Sequence, residues 1–183
     1  SSLTPRAVNA IEAGARLVAH IASMADAWRD GAERCDGFDV PFSTACVGVI
    51  EGGVSDNIVP EDCRFHYEFR NLPGSDALAM QQRVLDAATQ LERPMKAIDA
   101  ATGFRFEEIC AIPSFLANES DEAVALAQRL AGQQRTTLVA FGTEAGHFHR
   151  AGISTVVCGP GFIEQAHQPD EFVSLEQLAR CEA

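Results

Sequence analysis

The chain has 183 residues, enough for one large domain or two small ones. Its net charge is −12, and no run of Lys and Arg concentrates positive charge. Nucleic acid and anionic membranes are therefore not predicted as partners, because both bind through concentrated positive charge. No apolar run approaches the ~18 residues of a membrane span, and a hydrophobic content of 46% is enough to build a buried core.

The cysteines are scattered and include no Cys-x-x-Cys pair, which argues against a structural zinc site made of cysteines. Several lie in apolar, strand-like runs, as buried free thiols do. We therefore predict reduced thiols and a cytoplasmic protein. The six positions are Cys35, Cys46, Cys63, Cys110, Cys158 and Cys181. The polar start leads directly into a helix and does not resemble a signal peptide.

The first half of the chain begins with a helix and two strands. Thr4 followed by proline predicts a helix start, and apolar residues at helical spacing extend this helix to about Asp30. Residues 42–53 predict a strand that closes on a Gly-Gly turn. Strict alternation of apolar and polar residues over 63–70 predicts a second, half-buried strand.

A second long helix is expected to end before Pro94, and a third strand is expected at 103–112. The order helix-strand-strand-helix-strand is that of a ferredoxin-like unit without its first strand. We expect that strand to precede Ser1. The prediction for residues 1–114 is thus a two-layer, ferredoxin-like α+β domain.

Residues 115–183 alternate helices and strands in the manner of a parallel-sheet α/β domain, in which sites lie at the carboxyl ends of strands. The expected helices are a capped helix at 114–132, a short helix from Thr143 and a last helix opened by the capping box of Ser174 and Gln177. The expected strands cover 136–142 and 153–161. The whole chain is therefore predicted to be of the α/β class.

His167 follows the glycine turn Gly159-Pro-Gly161 and stands close to carboxylates on both sides. It is either a solvated loop histidine or a metal ligand or base, because a neutral imidazole suits zinc and nearby carboxylates can orient the ring. The turn itself is either ordinary turn chemistry or a place where backbone approaches a ligand.

The segment from Thr143 offers further candidates. Glu144 either stabilises the dipole of a helix N-terminus or faces a pocket and binds a substrate ammonium. His147 and His149 would share a face on a strand but diverge on a helix. Because the preceding residues indicate a helix start, we favour ordinary surface histidines.

Two residues of the first half are also candidates. Arg70 ends the alternating strand on its polar face, and it is either a solvated arginine or a fork aimed at a carboxylate. Asn57 lies in a turn and needs no function to explain it.

Taken together, these motifs resemble the di-zinc aminoacylase/carboxypeptidase/deacetylase superfamily and, within it, the acetylornithine deacetylase branch. The resemblance covers nearly the whole chain in order. It rests on "IEGGVSDNIVPEDCRFHYEFRNLPG", on "GTEAG" and on "GPGFIEQAHQPDEFV", of which the last is the most specific. It implies a lid or dimerisation domain at residues 1–114 and the C-terminal segment of a metallohydrolase catalytic domain at 115–183.

The resemblance also implies roles for single residues. His167 would be a zinc ligand. The residues Asn57, Arg70, Thr143, Glu144, Gly159 and Gly161 would bind substrate, the first two near its carboxylate and reacting carbonyl. Glu144 as the partner of the ornithine ammonium is our own extension. The implied cofactor is Zn2+, two ions per site, with Co2+ as an alternative.

The same resemblance implies a zinc-dependent amidohydrolase that removes an acyl group from a small N-acylated amino acid, N2-acetylornithine in arginine biosynthesis. The other zinc ligands and the general base are then expected before Ser1, so that this piece alone would be inactive. Succinyl-diaminopimelate desuccinylase, aminoacylase and glutamate carboxypeptidase activities remain open. A non-catalytic dimerisation fragment, forming a homodimer through the lid, is the alternative from a different class.

Overall fold

The computed structural model describes residues 4–166 and 168–182. The chain divides into two compact units. The first contains residues up to Cys35 together with Val40–Cys110, and the second contains Asp36–Asp39 together with the residues from Ala111 onward. The domain boundary predicted after residue 114 stays a prediction. Within the described residues, no helix combines the length and the apolar character needed to cross a bilayer.

The first long helix, α1, covers Ala10–Asp30, and its predicted end is confirmed. The predicted start at Thr4 is wrong, because Thr4–Arg6 forms only a 3-10 turn. Asn9 caps α1 instead, and its side chain accepts the Glu12 N–H at 3.1 Å. The Ala10 N–H donates to the Pro60 carbonyl at 3.0 Å, outside the helix, which fixes where the helical bonding begins.

Strands β1 (Thr44–Gly52) and β2 (Cys63–Arg70) form an antiparallel hairpin. Alternate residues of β2 are half-buried and exposed, as its sequence predicts. The ladder is interrupted at Gly48, because Val47 pairs with Tyr67 and Val49 pairs with His66. This β-bulge changes which residues of β1 face inward, from odd-numbered before Gly48 to even-numbered after it.

Helix α2 covers Ala77–Ile98 and begins at Asp76, whose side chain accepts the Ala79 N–H at 3.0 Å. The predicted end before Pro94 is wrong, because the helix continues through this proline. Proline removes one backbone bond, but two contacts of Glu92 hold the last turn. Glu92 pairs with Lys96 on the next turn and accepts the Phe104 N–H at 2.8 Å.

The core of the first unit lies between the two helices and the inner face of the hairpin. Its fully buried side chains are Leu17, Ile21 and Met24 of α1 and Val84 and Ala88 of α2. Aromatic residues of β2 cover this cluster, and Trp28 meets Phe69 edge-on with ring centroids 5.6 Å apart. These contacts give the unit a continuous two-layer core.

The third predicted strand, 103–112, is wrong, since these residues form no strand. Phe104 packs against the core, whereas Ile109 is 77% exposed. In a ferredoxin-like unit the last strand hydrogen-bonds to the first strand. The described residues contain no such first strand, so this segment has no neighbouring strand on which to pair.

The second unit contains helices α3 (Glu122–Ala131), α4 (Ala145–Arg150) and α5 (Leu175–Glu182). The helix expected from residue 114 begins later, after Asp121, and it ends at Gly132 in the left-handed conformation. The capping box of α5 is confirmed, because Ser174 Oγ accepts the Gln177 N–H at 3.2 Å.

The strands predicted at 136–142 and 153–161 are wrong, because neither segment forms a ladder. Parallel strands require neighbouring strands on which to pair, and the described residues of this unit contain none. Large apolar side chains such as Ile153 and Val157 are consequently about half exposed, at 53% and 47%. The α/β class is confirmed for the chain, with its one described sheet in the first unit.

Four of the six cysteines are exposed, and Cys35 and Cys63 are half-buried. The expectation of buried thiols is therefore wrong for Cys46, Cys110 and Cys158, because the strand-like runs around the last two form no sheet and Cys46 lies on the outer face of β1. Burial raises the pKa of the Cys63 thiol. That thiol packs beside Gly14 of α1 as a neutral group.

Candidate functional site

Arg70 is the last residue of β2 and lies on its exposed, polar face. Its guanidinium binds Glu68 through two parallel hydrogen bonds, Nε to Oε1 at 3.1 Å and Nη2 to Oε2 at 3.0 Å. The two residues are two positions apart on a strand and therefore share a face. Arg70 is thus half exposed and paired with a carboxylate of its own strand, and its predicted role in substrate binding stays a prediction.

Glu68 was not among the residues singled out from the sequence. The signal that would have identified it is a carboxylate two positions before an arginine on the polar face of an alternating strand. Both side chains remain about half exposed, at 56% for Glu68 and 53% for Arg70. The pair is therefore accessible to a ligand.

Asn57 lies in the loop that joins β1 to β2, and it is exposed. The Ser55 hydroxyl donates to Asn57 Oδ1 at 2.8 Å. The Ile58 N–H donates to the Ser55 carbonyl at 3.3 Å and closes the turn. These bonds fix the direction of the amide, with its oxygen engaged within the loop.

Asn57 and Arg70 stand at opposite ends of the hairpin. Arg70 pairs with Thr44 at one end, whereas Cys63 pairs with Gly52 at the end that leads into the Asn57 loop. A strand rises about 3.3 Å per residue, so these two ends of β2 are about 23 Å apart. A small amino-acid substrate cannot touch both residues of one chain.

Thr143 and Glu144 precede α4 in the second unit. Thr143 Oγ1 accepts the Ala145 N–H at 3.0 Å, whereas the Glu144 side chain makes no capping bond and is exposed. Gly146 lets the helix approach Pro113 closely, because a Cβ at this position would overlap the Pro113 carbonyl oxygen. The start of α4 is thus held by the backbone, which leaves the Glu144 carboxylate accessible.

The helical prediction for His147 and His149 is confirmed, since both lie on α4. Two positions apart on a helix, their rings point in different directions. His149 packs against Phe115, with ring centroids 5.4 Å apart. They therefore do not form a chelating pair.

The two glycines of the turn Gly159-Pro-Gly161 differ in what the backbone requires. Gly161 has a φ of +102°, which side-chain-bearing residues rarely adopt. Gly159 has ordinary φ, and a Cβ there would meet no atom within 4 Å. The structure therefore explains the glycine at 161 but gives no packing reason for the one at 159.

The turn leads into a 3-10 helix at Ile163–Gln165. The Gln165 Oε1 is buried, and no described residue donates a hydrogen bond to it. Buried polar atoms normally have a partner. Gln165 is therefore a further candidate for contact with a bound group, and it stands two residues before His167.

The predicted ligand His167 lies outside the described residues. Among residues 4–166 and 168–182, no three His, Cys, Asp or Glu side chains come together to hold a metal ion. Zinc sites in proteins use three or four such ligands. The described part of this chain therefore does not form a zinc site by itself.

Residues 1–96 match the family of the M20 peptidase dimerisation domain. This match spans more than half of the chain and includes α1, the β1–β2 hairpin and nearly all of α2. The chain belongs to this family.

Several relatives extend the similarity beyond that domain. The chain is 36% identical over 155 residues to the acetylornithine deacetylase of Myxococcus xanthus, which covers 81% of this chain and 38% of the relative. It is 31% identical to the acetylornithine deacetylase of Pasteurella multocida, covering 96% of this chain and 44% of the relative. That of Proteus mirabilis is 32% identical, with coverage of 96% and 43%. The chain spans less than half the length of these curated relatives.

Proposed function

We propose that the full-length protein is a metal-dependent amidohydrolase that removes the acetyl group from N2-acetylornithine, in the cytoplasm and in arginine biosynthesis. The observation that carries this proposal is the similarity to acetylornithine deacetylases over most of the chain. The carboxylate held by Arg70 adds physical support, because an N-acylated amino acid presents a carboxylate of the same chemistry.

In this proposal the metal is zinc, two ions per site, or cobalt, and His167 is one of the ligands. The resemblance to the di-zinc family is what supports other ligands from segments outside these 183 residues. When bound, the metals supply an activated water and stabilise the oxyanion.

The residues of this chain then bind and orient the substrate. Arg70 takes the α-carboxylate, Asn57 lies near the reacting carbonyl, and Glu144 binds the side-chain ammonium. Thr143, with the turn of Gly159 and Gly161, forms a pocket wall. These roles must be compatible with the hairpin, in which Arg70 ends β2 and Asn57 lies in the loop at the other end of this strand, which is about 23 Å long.

The positions of Asn57 and Arg70 at opposite ends of the hairpin link substrate binding to the formation of a homodimer. If one substrate contacts both an Asn57 and an Arg70, the two residues come from different copies of the chain. A homodimer formed through the dimerisation domain supplies both, and this is the assembly we propose.

Mixing an Asn57→Ala full-length protein with an Arg70→Gln full-length protein tests this assembly. The mixture should recover about a quarter of wild-type activity, because a mixed dimer has one intact site.

The activity itself is tested with the full-length protein, by measuring acetate release from N2-acetylornithine with zinc or cobalt present. Arg70→Gln should raise KM at least about tenfold, because it removes a charge-assisted bidentate contact. Arg70→Lys keeps the charge but loses the fork, and its KM should lie between that of the wild type and that of Arg70→Gln. Turnover of N-succinyl-diaminopimelate, another N-acylated amino acid or a glutamate conjugate in place of N2-acetylornithine would replace the substrate assignment.

A second function is favoured by the family match to a dimerisation domain. On its own, this 183-residue chain would act as a non-catalytic dimerisation module. Light scattering after size exclusion should then give twice the chain mass of 19.6 kDa at micromolar concentration. A monomer at that concentration would contradict this function without affecting the deacetylase proposal.

A further inference from the structure

The interaction between Glu68 and Arg70 uses only one side of the guanidinium. An arginine side chain carries five N–H donors, arranged so that a carboxylate can bind either the edge of Nε and Nη2 or the edge of Nη1 and Nη2. Glu68 occupies the first edge, at 3.1 Å and 3.0 Å. Both Nη1 donors and one Nη2 donor remain for a second acceptor.

The surroundings leave this second edge open. In the described part of the chain, the hydrogen bonds of the Arg70 side chain go to Glu68 alone. Its neighbour across the hairpin is Thr44, and that of Glu68 is Cys46, neither of which carries a charge. Arg70 ends β2, so the guanidinium stands at the rim of the sheet with no further strand residue on that face.

We propose that Glu68 is a positioning residue for substrate binding: it holds the Arg70 guanidinium by its Nε–Nη2 edge and thereby presents the Nη1–Nη2 edge to the α-carboxylate of an N-acylated amino acid. This inference rests on the proposed function and adds a residue to it. A free arginine side chain loses considerable rotamer freedom when it binds a ligand. Because Glu68 has already restricted Arg70, less of that freedom is lost when substrate arrives.

The alternative is that Glu68 competes with the substrate for Arg70. Direct competition for the same donors requires both carboxylates to use the same edge, and the hydrogen bonds to Glu68 occupy only the Nε–Nη2 edge. Glu68 also remains on the surface, where an isolated ion pair contributes little to stability. Its effect is therefore expected on ligand binding rather than on folding.

The test is steady-state kinetics of the full-length protein with Glu68→Gln, which removes the carboxylate and keeps the shape. KM for N2-acetylornithine should rise by about twofold to tenfold, with kcat changed by less than about twofold, because one arginine side chain is no longer ordered in advance. Glu51→Gln is the matched control. It removes one carboxylate from the same hairpin at a position with no ion pair among the described residues, and its KM should stay at the wild-type value.

A double variant checks that the effect passes through Arg70. Glu68→Gln should raise KM in the wild-type background and leave it unchanged in an Arg70→Gln background. A substrate analogue whose α-carboxylate is replaced by an amide should also be insensitive to Glu68→Gln. An unchanged KM in Glu68→Gln would overturn the proposal, and a lower KM would establish competition instead.

A second measurement separates this inference from the proposed activity. In the 183-residue chain, the Nε–H resonance of Arg70 should be resolved in the wild type and broadened in Glu68→Gln. N-acetylglycine, which carries a carboxylate and an acylated amine, should shift the Arg70 Nη resonances more in the wild type than in the variant. If the full-length protein hydrolyses nothing while these shifts are seen, the activity is wrong and the role of Glu68 stands. Equal shifts in both proteins would overturn the role of Glu68.

Discussion

The two units of this chain have similar kinds of sequence but differ in strand pairing and in the burial of their apolar side chains. In the first, the apolar faces of α1, α2 and the hairpin meet in a cluster of fully buried side chains. In the second, the apolar runs at 136–142 and 153–161 form no strands, and side chains such as Ile153 are half exposed. An apolar run becomes a strand only where another strand completes its hydrogen bonds.

The largest effect we expect is in the core of the first unit. Leu17→Ala should lower the free energy of unfolding by about 3 kcal/mol, because Leu17 of α1 is fully buried in the core cluster that α1 shares with α2. The only tryptophan, Trp28, packs against this core, so its fluorescence during urea unfolding reports on this unit.

Leu78→Ala is the control for that experiment. It makes the same chemical change at a position that is 82% exposed, and the expected change lies within about 0.5 kcal/mol. Equal losses in the two variants would mean that the helices do not pack as described.

The second unit should be most sensitive where α4 approaches the chain closely. Gly146→Ala should cost about 2 kcal/mol, because its Cβ would overlap the Pro113 carbonyl oxygen and backbone must move. Amide hydrogen exchange over residues 111–152 should become about thirtyfold faster. Gly159→Ala, where a Cβ meets nothing within 4 Å, should leave exchange unchanged. Unchanged exchange in Gly146→Ala would contradict the packing of α4.

A smaller effect, dependent on pH, is expected at Glu92. The side-chain hydrogen bond from Lys96, and then the backbone N–H of Phe104, lower the pKa of this carboxyl. Since the folded pKa lies below the ordinary value of 4.5, the charged form stabilises the fold above that pH. This contribution is lost as the pH falls through the lower, folded pKa.

Glu92→Gln should therefore lower the free energy of unfolding by about 1 kcal/mol at pH 7, and the difference from wild type should shrink as the pH falls below about 4.5. Trp28 fluorescence in urea at several pH values measures it. Glu107→Gln, an exposed carboxylate change nearby, should show no such trend. A difference that stays constant with pH would mean that the charge of Glu92 is not what stabilises α2.

The prediction that is most informative for the site concerns the glycine turn. Gly161→Ala should cost about 1 kcal/mol because of its positive φ, whereas Gly159→Ala should cost almost nothing. If Gly159 lines the substrate pocket, Gly159→Ala should still raise KM of the full-length protein severalfold. An unchanged KM would leave this glycine as ordinary turn chemistry.

Much of the first unit was predictable because its signals are local. The alternation of β2 and the apolar spacing of α1 reflect which side chains face the core, and both were confirmed. The start of α1 was missed because it depends on a bond from Ala10 to Pro60, which is distant in sequence. The continuation of α2 past Pro94 likewise depends on the contact of Glu92 with Phe104. The predicted strands of the second unit were wrong because an apolar pattern does not provide the neighbouring strand on which a strand must pair.

The candidate site was predicted residue by residue rather than as an arrangement. The sequence identified Arg70 and Asn57 but could not indicate that they stand at opposite ends of a hairpin whose strand β2 is about 23 Å long. It also overlooked Glu68, because an exposed glutamate on a polar face is unremarkable until its bond to Arg70 is seen. The assignment of His167 as a ligand stays a prediction.

The bulge at Gly48 sets a rule for how β1 can change length in evolution. On one side of it odd-numbered residues face inward, and on the other side even-numbered residues do, while β2 alternates without interruption. Loss of Gly48 itself would leave all the remaining side chains of β1 on their present faces. Loss of any other single residue would exchange inner and outer faces for part of the strand. Natural variation in β1 should therefore show single-residue deletions at this glycine and paired changes elsewhere.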